Sequence, residues 1–179
     1  KSPIDGSKLS NVTEHDIPSE DILKFSRNVG IKNLQKLNFH DRAKILKRIG
    51  LLLNDAKEKL YSLSYHTGAT LKDSYLDIDG GIGTLLVMAS KARKEMDESF
   101  IHLDGDVEII SRKGTFLGQH IFSPLQGVAV HINAFNFPVW GMLEKLSSSI
   151  LAGVPTIVKP SASTSFLAQE CMKIISESN

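Results

Sequence analysis

Residues 127–161, GVAVHINAFNFPVWGMLEKLSSSILAGVPTIVKPS, constrain the fold more than any other part of the chain. Val128, Val130 and Ile132 alternate with smaller or polar residues, the period-two pattern of a partly buried strand. Asn136, Phe137 and Pro138 then open a helix, because asparagine is a favoured cap and proline fits the first helical turn. Gly153 closes that helix, and residues 154–159 form a second short apolar strand. Two parallel strands joined by a helix make a βαβ unit, and ligands gather at the carboxyl ends of such strands. Asn136 and Lys159 both fall at that rim.

The preceding sequence is helical. Residues 1–18 are polar and rich in Ser and Asp, an extended and loosely held lead-in. Ser19 is placed to cap a short helix over 19–28 that Gly30 stops. Ala43, Leu46, Ile49, Leu53, Ala56, Leu60 and Leu63 recur at spacings of three and four, predicting a longer helical region over 39–66 that ends at Gly68. Residues 70–95 give another helix, apolar at Leu71, Tyr75, Ile78, Ile82, Leu85, Leu86 and Ala89. Between these helices and the βαβ unit, Val107, Ile109 and Ile110 mark one strand and residues 115–122 a second, with a turn at Lys113-Gly114. A hairpin of this size does not stand alone in water. Its isolation marks it as an oligomer contact.

The 179 residues suffice for a domain with a sizeable core, and 41% hydrophobic with 23% charged is ordinary for a globular protein. A net charge of +1 gives no electrostatic case for nucleic acid or a membrane surface. No apolar run approaches the roughly 20 residues of a spanning helix. A single cysteine excludes an internal disulfide and fits a reducing cytoplasm.

Several strings carry a resemblance. HINAFNFPVWGMLEKL followed by LAGVPTIVKP, with YSLSYHTGAT, DIDGGIGTL and GTFLGQHI upstream, resembles the aldehyde dehydrogenase superfamily, and within it the PaaZ-type semialdehyde dehydrogenases of phenylacetate breakdown. The match runs from about Ile22 to Asn179. It implies an α/β fold: residues 1–103 as the N-terminal helical part of a Rossmann-type cofactor domain, 104–123 as a β-hairpin oligomerisation arm, and 124–179 as the start of the dinucleotide-binding βαβ unit. It also implies an amino-terminal piece of a longer enzyme, because the family's nucleophilic cysteine and general-base glutamate lie beyond residue 179. The piece alone is expected to be inactive, and the first residue, Lys1, is not a methionine.

Each candidate residue has a second reading. Aldehyde oxidation begins with thiolate attack on the carbonyl, and a side-chain amide can stabilise the resulting oxyanion. By resemblance Asn136 supplies that amide; by composition alone it is a helix cap, and the two roles are compatible if the amide points outward. Lys159 is either a strand-end lysine reaching water or, by resemblance, a contact to the adenosine ribose. Many NAD-preferring relatives carry glutamate where this chain has Ala162. Its absence removes a charge that would repel a 2′-phosphate, and Ser161 and Ser163 are potential donors, so NADP is expected to be tolerated or preferred over NAD. Ile132, Asn133, Ala134 and Phe135 are expected to line the cofactor groove, mostly through backbone, with core packing the other reading for Ile132 and Phe135. No GxGxxG follows the first strand, which argues against an ordinary Rossmann pyrophosphate grip.

Phe137, Trp140, Gly141 and Glu144 share one helix face, which the resemblance turns toward a substrate tunnel. Gly141 costs about 1 kcal/mol against alanine inside a helix. It therefore makes room either for a neighbouring helix or for a bulky acyl-CoA-bearing aldehyde. Lys145 is a solvated charge or, by resemblance, a group near the proton-release path. Cys171 lies among apolar neighbours and is not the nucleophile. The six histidines form no metal-ligand pattern, and Asp77-Ile-Asp79-Gly80 lacks the later ligands of a calcium loop. Gly80, Gly81 and Gly83 read as close helix packing. A catalytically silent dinucleotide-binding or assembly module, and a dehydrogenase of simple free aldehydes, are the rival functions.

Overall fold

A computed structural model describes residues 1–9 and 18–177. Helix α1 (Ser19–Phe25) runs through a wider π-helical turn (Ser26–Gly30) into α2 (Ile31–Leu34). Ser19 is the first helical residue rather than its cap, and Pro18 precedes it without a side-chain cap. Gly30 does not stop the helix; its backbone is helical. A Cβ there would fall 2.9 Å from the Pro155 ring, so glycine is needed for approach and not for termination. The expected loose lead-in is corrected for residues 1–9: Ser2 is buried, its N–H donates to Ser7 O, and its Oγ lies 3.2 Å from His66 Nδ1. The remainder of that expectation, including His15, lies outside the described residues.

The predicted 39–66 helix is two helices, α3 (Phe39–Asp55) and α4 (Lys57–Tyr65), broken at Ala56, where φ is −98° and ψ 7°. Asn38 caps α3, accepting from Asp41 N, and Thr70 caps α5 (Leu71–Glu95), accepting from Asp73 N. Ala43, Leu46, Leu53 and Leu60 face Ile78, Ile82, Leu85 and Ala89 in one core, as their spacing predicts. Leu71 and Tyr75 are exposed instead; the buried stripe begins at Ser74 and passes through Asp77 and Gly81. At Gly80 and Gly81 a Cβ would meet the Trp140 ring at 2.8 Å and the Trp140 Cα at 2.8 Å, which bears out close helix packing. At Gly83 nothing lies within 4 Å, so packing does not explain that glycine.

Strands β1 (His102–Ile109) and β2 (Leu117–Phe122) form an antiparallel hairpin of two strands, with a bulge between Asp104 and Glu108. Strand β1 starts earlier than the apolar pattern suggests. The pair is separate from the second sheet, and Leu103, Val107, Ile109, Leu117, Ile121 and Phe122 are exposed on it.

The second sheet pairs β3 (Ala129–Ile132) with β4 (Thr156–Lys159) in parallel, connected by α6 (Pro138–Leu151). A short 3-10 turn (Ala162–Thr164) then leads into α7 (Ser165–Ser176). Gly153, at φ 76°, ends α6 as expected, donating to Ile150 O. The strand phase is the reverse of the prediction. Val130 and Ile132 are 58% and 74% exposed, whereas His131 is buried, 3.1 Å from Ser149 Oγ of α6. In parallel sheets both faces are covered by helices, so both tend to be apolar and alternation does not identify the inner one. Met142, Leu143 and Leu146 of α6 join the α3–α5 core, as do Leu167 and Cys171 of α7. No described helix is long and apolar enough to cross a membrane.

Candidate active site

Helix α6 is held at both ends by charged side chains from other helices. At its start, Asp77 of α5 accepts hydrogen bonds from Trp140 N (2.7 Å to Oδ1) and Val139 N (3.1 and 3.2 Å to its two oxygens). At its end, the fully buried Arg42 of α3 donates from Nη1 to Leu151 O at 2.7 Å and lies 4.6 Å over the Phe39 ring. A carboxylate at a helix N-terminus and a guanidinium at its C-terminus each satisfy orphan backbone groups and oppose the helix dipole. Burial pushes the Asp77 carboxyl up to about 6, against the lowering effect of the Trp140 and Val139 N–H groups. Burial likewise lowers the Arg42 pKa.

This clamp changes the role open to Asn136. The residue preceding α6 is Phe137, which makes no side-chain cap, with Pro138 in the first turn. Asn136 is exposed in the bend before it, and its amide has no hydrogen-bond partner among the described residues. The cap reading is therefore corrected: the orphan N–H groups are taken by Asp77, 62 and 63 residues earlier. Sequence reasoning missed Asp77. Its signal was a carboxylate on the buried stripe of α5, where an acid requires a partner.

The parallel register sets Ile132 opposite Lys159, and Asn133 N donates to Lys159 O at 3.1 Å. The loops leaving β3 and β4 thus emerge side by side at one sheet edge. Lys159 is exposed at that edge. Ile132 and Phe135 are exposed too, so neither is core, and Ala134 between them is also exposed. Asn133 is 7% exposed, and neither amide atom of its side chain has a partner. In the second loop Ser161 Oγ lies 3.2 Å from Ser163 Oγ, and the buried Thr164 Oγ1 is unpartnered. A cavity of about 360 Å³ is lined here by Phe135, Ala162, Ser163, Thr164, Phe166 and the N-terminal segment; Asn136 and Lys159 are outside its lining. Hydroxyls and an unpartnered buried oxygen on a cleft fit the ribose end of a dinucleotide, and no carboxylate lines that cleft. An apolar cavity of about 540 Å³ lies instead at the far end of α6, around Leu151, Phe39 and Phe122.

On α6, the Phe137 and Trp140 rings meet edge to face at 6.2 Å, and Trp140 also covers Gly80. A Cβ at Gly141 would meet only Lys145 Nζ at 3.7 Å, so no neighbouring helix demands that glycine. Glu144 is exposed, and Lys145 Nζ donates to Gly141 O. Cys171 is fully buried, its thiol pushed up to about 12 by burial and then by the nearby Asp77 charge, as a core residue requires. No group of three or more metal-ligating side chains occurs among the described residues.

A parallel βαβ unit carrying this loop pair at one end defines an α/β protein, and comparison with known proteins narrows the class. Residues 2–179 match the aldehyde dehydrogenase family model, and the chain belongs to that family. It is 36% identical over 176 residues to a 3,4-dehydroadipyl-CoA semialdehyde dehydrogenase of Aromatoleum evansii, covering 98% of this chain and 34% of that protein. Among solved structures it is similar to an indole-3-acetaldehyde dehydrogenase in apo form (TM-score 0.83, 24% identity, 98% of this chain and 39% of that one). It is also similar to the glyceraldehyde-3-phosphate dehydrogenase GapN of Methanocaldococcus jannaschii, solved with NADP (TM-score 0.67, 18% identity, 89% and 32% of the two chains). The chain spans about a third of the length of the curated relatives it matches.

Proposed function

We propose that this chain supplies the oxyanion donor and the adenosine-ribose contacts of an NAD(P)-dependent aldehyde dehydrogenase. Its proposed reaction is oxidation of an open-chain, CoA-linked semialdehyde to the acid. One observation carries the reading: Asn136 stands exposed at the mouth of α6 with its amide uncommitted, because Asp77 meets the helix's capping demand. A preorganised neutral N–H donor aimed at a developing oxyanion lowers the barrier without adding charge to the ground state. Lys159, Ser161 and Ser163 would hold the nucleotide ribose or its 2′-phosphate, with Ala162 leaving room for the phosphate charge. Ile132, Asn133, Ala134 and Phe135 would flank the same groove. The dinucleotide, when bound, accepts the hydride. Phe137, Trp140, Gly141 and Glu144 would face the substrate, with Gly141 keeping that wall open.

The CoA handle is supported by the 36% identity to a protein named for a CoA semialdehyde. The exposed apolar residues of the isolated hairpin support a contact with a second copy of the chain in a homo-oligomer. The buried, unpaired Cys171 fits a reducing cytoplasm.

The test is steady-state kinetics of the full-length enzyme on CoA-linked and free semialdehydes with NADP and NAD. Asn136→Ala is expected to lower kcat by roughly 10²–10³ while leaving cofactor affinity unchanged. Ala162→Glu is expected to shift preference from NADP toward NAD. An unaltered rate in Asn136→Ala would overturn the catalytic reading, and equal preference before and after Ala162→Glu the cofactor reading.

A further inference from the structure

Asp77 lies in the middle of the buried face of α5, 3% exposed, and is aimed at the first turn of a helix more than sixty residues away. A carboxylate brought into a core is costly unless it is fully engaged. Its engagement is with backbone only, the Val139 and Trp140 N–H groups. These begin three residues after Asn136. Between them stand Phe137 and Pro138, and proline fixes its own φ while restricting the residue before it. The path from the carboxylate to the Asn136 Cα is thus short and stiff. The backbone of α6 is also pinned laterally, since Trp140 Cα and N approach Gly81 too closely for any larger residue.

We propose that Asp77 is a positioning residue for Asn136, setting where the asparagine amide stands by anchoring the first turn of α6. The inference rests on the reading of Asn136 as the oxyanion donor. Donor geometry in such a site is exacting, and a displacement of about 1 Å can cost on the order of 10²-fold in rate. Removing the acceptor frees two buried N–H groups, and the turn must shift to find other partners. An amide in its place can still accept from both through one oxygen, so the geometry survives loss of the charge.

The experiment is single-turnover NADPH formation in the full-length enzyme, normalised to cofactor-binding sites, for Asp77→Ala, Asp77→Asn, Asp77→Glu, Asn136→Ala and the Asp77→Ala/Asn136→Ala double variant. Asp77→Ala is expected to slow hydride transfer by roughly 10–10²-fold with NADP dissociation unchanged, and Asp77→Asn to recover to within about threefold of wild type. The double variant should be no slower than Asn136→Ala, because a displaced donor that is absent costs nothing further. Asp77→Glu retains an acceptor but displaces it by one methylene, and should slow the step with the fold intact; it carries the test if Asp77→Ala does not fold. Wild-type rates per site in both Asp77→Ala and Asp77→Glu, or losses that multiply in the double variant, would overturn the proposal while leaving Asn136 as donor. A wild-type rate in Asn136→Ala would instead remove the reading beneath it.

Discussion

Two glycines in α5, two residues apart, should respond to the same substitution with opposite signs. Replacing glycine by alanine inside a helix gains about 1 kcal/mol where the new methyl group meets nothing. That is the situation of Gly83, with no atom within 4 Å of its prospective Cβ. At Gly81 the methyl group would fall 2.8 Å from Trp140 Cα and 3.0 Å from Trp140 N. These are backbone atoms and cannot rotate aside, so α5 and α6 must separate. Overpacking of this kind costs about 1–3 kcal/mol. The displaced N–H is also the one bonded to Asp77 at 2.7 Å, and weakening that cap adds about 1 kcal/mol. Set against the helix-propensity gain, Gly81→Ala should lose about 1–3 kcal/mol and Gly83→Ala should gain about 0.5–1 kcal/mol. For a chain of this size 1 kcal/mol corresponds to about 2–4 °C. Thermal unfolding followed by circular dichroism should place the two variants on opposite sides of wild type. A Gly81→Ala protein at least as stable as wild type would refute the close approach of the two helices, and a destabilised Gly83→Ala would refute the open space around that position.

The raised Asp77 carboxyl makes a pH prediction: a group whose folded pKa lies above its unfolded value contributes stability below the unfolded pKa and loses it as pH rises through the folded one. Between its ordinary value of 3.8 and about 6, that contribution declines, so Asp77→Asn should gain on wild type from pH 4 to pH 8, by up to about 3 kcal/mol, in urea unfolding at several pH values. A difference that stays flat with pH would refute it; the neighbouring Cys171 thiol, held near 12, does not titrate in that window. Arg42→Ala should cost roughly 3–5 kcal/mol, because the Leu151 and Asn38 carbonyls lose a donor and a large buried side chain is deleted. Arg42→Lys should recover only part of that loss in the same unfolding assay, since one ammonium does not reproduce the planar fork.

The helical half of the fold was legible because its signal is local. Leu46, Leu53, Leu60, Ile78, Ile82 and Leu85 are buried where their spacing puts them, and Gly153 and Gly68 punctuate as glycine should. Two kinds of feature were not. The face of β3 could not be read from alternation, because Val130 and Ile132 are as apolar as a core residue while His131 finds its partner in Ser149. Gly30 gave the signal of a stop, yet its role is set by Pro155, more than a hundred residues later. At the candidate site, the Asn-Phe-Pro turn and Lys159 stand out in the sequence, and their edge position follows from the parallel pairing. The residue freeing Asn136 from capping does not, because Asp77 meets Trp140 only in three dimensions.

Helix α6 works as a ruler fixed at two marks. Its 14 residues span about 21 Å, with the carboxylate of one helix defining zero and the guanidinium of another defining full scale. Inserting a single residue anywhere along it would turn one end by about 100° relative to the other, so that only one mark could still be met. Side chains on its outer face are free to vary, but its length is not.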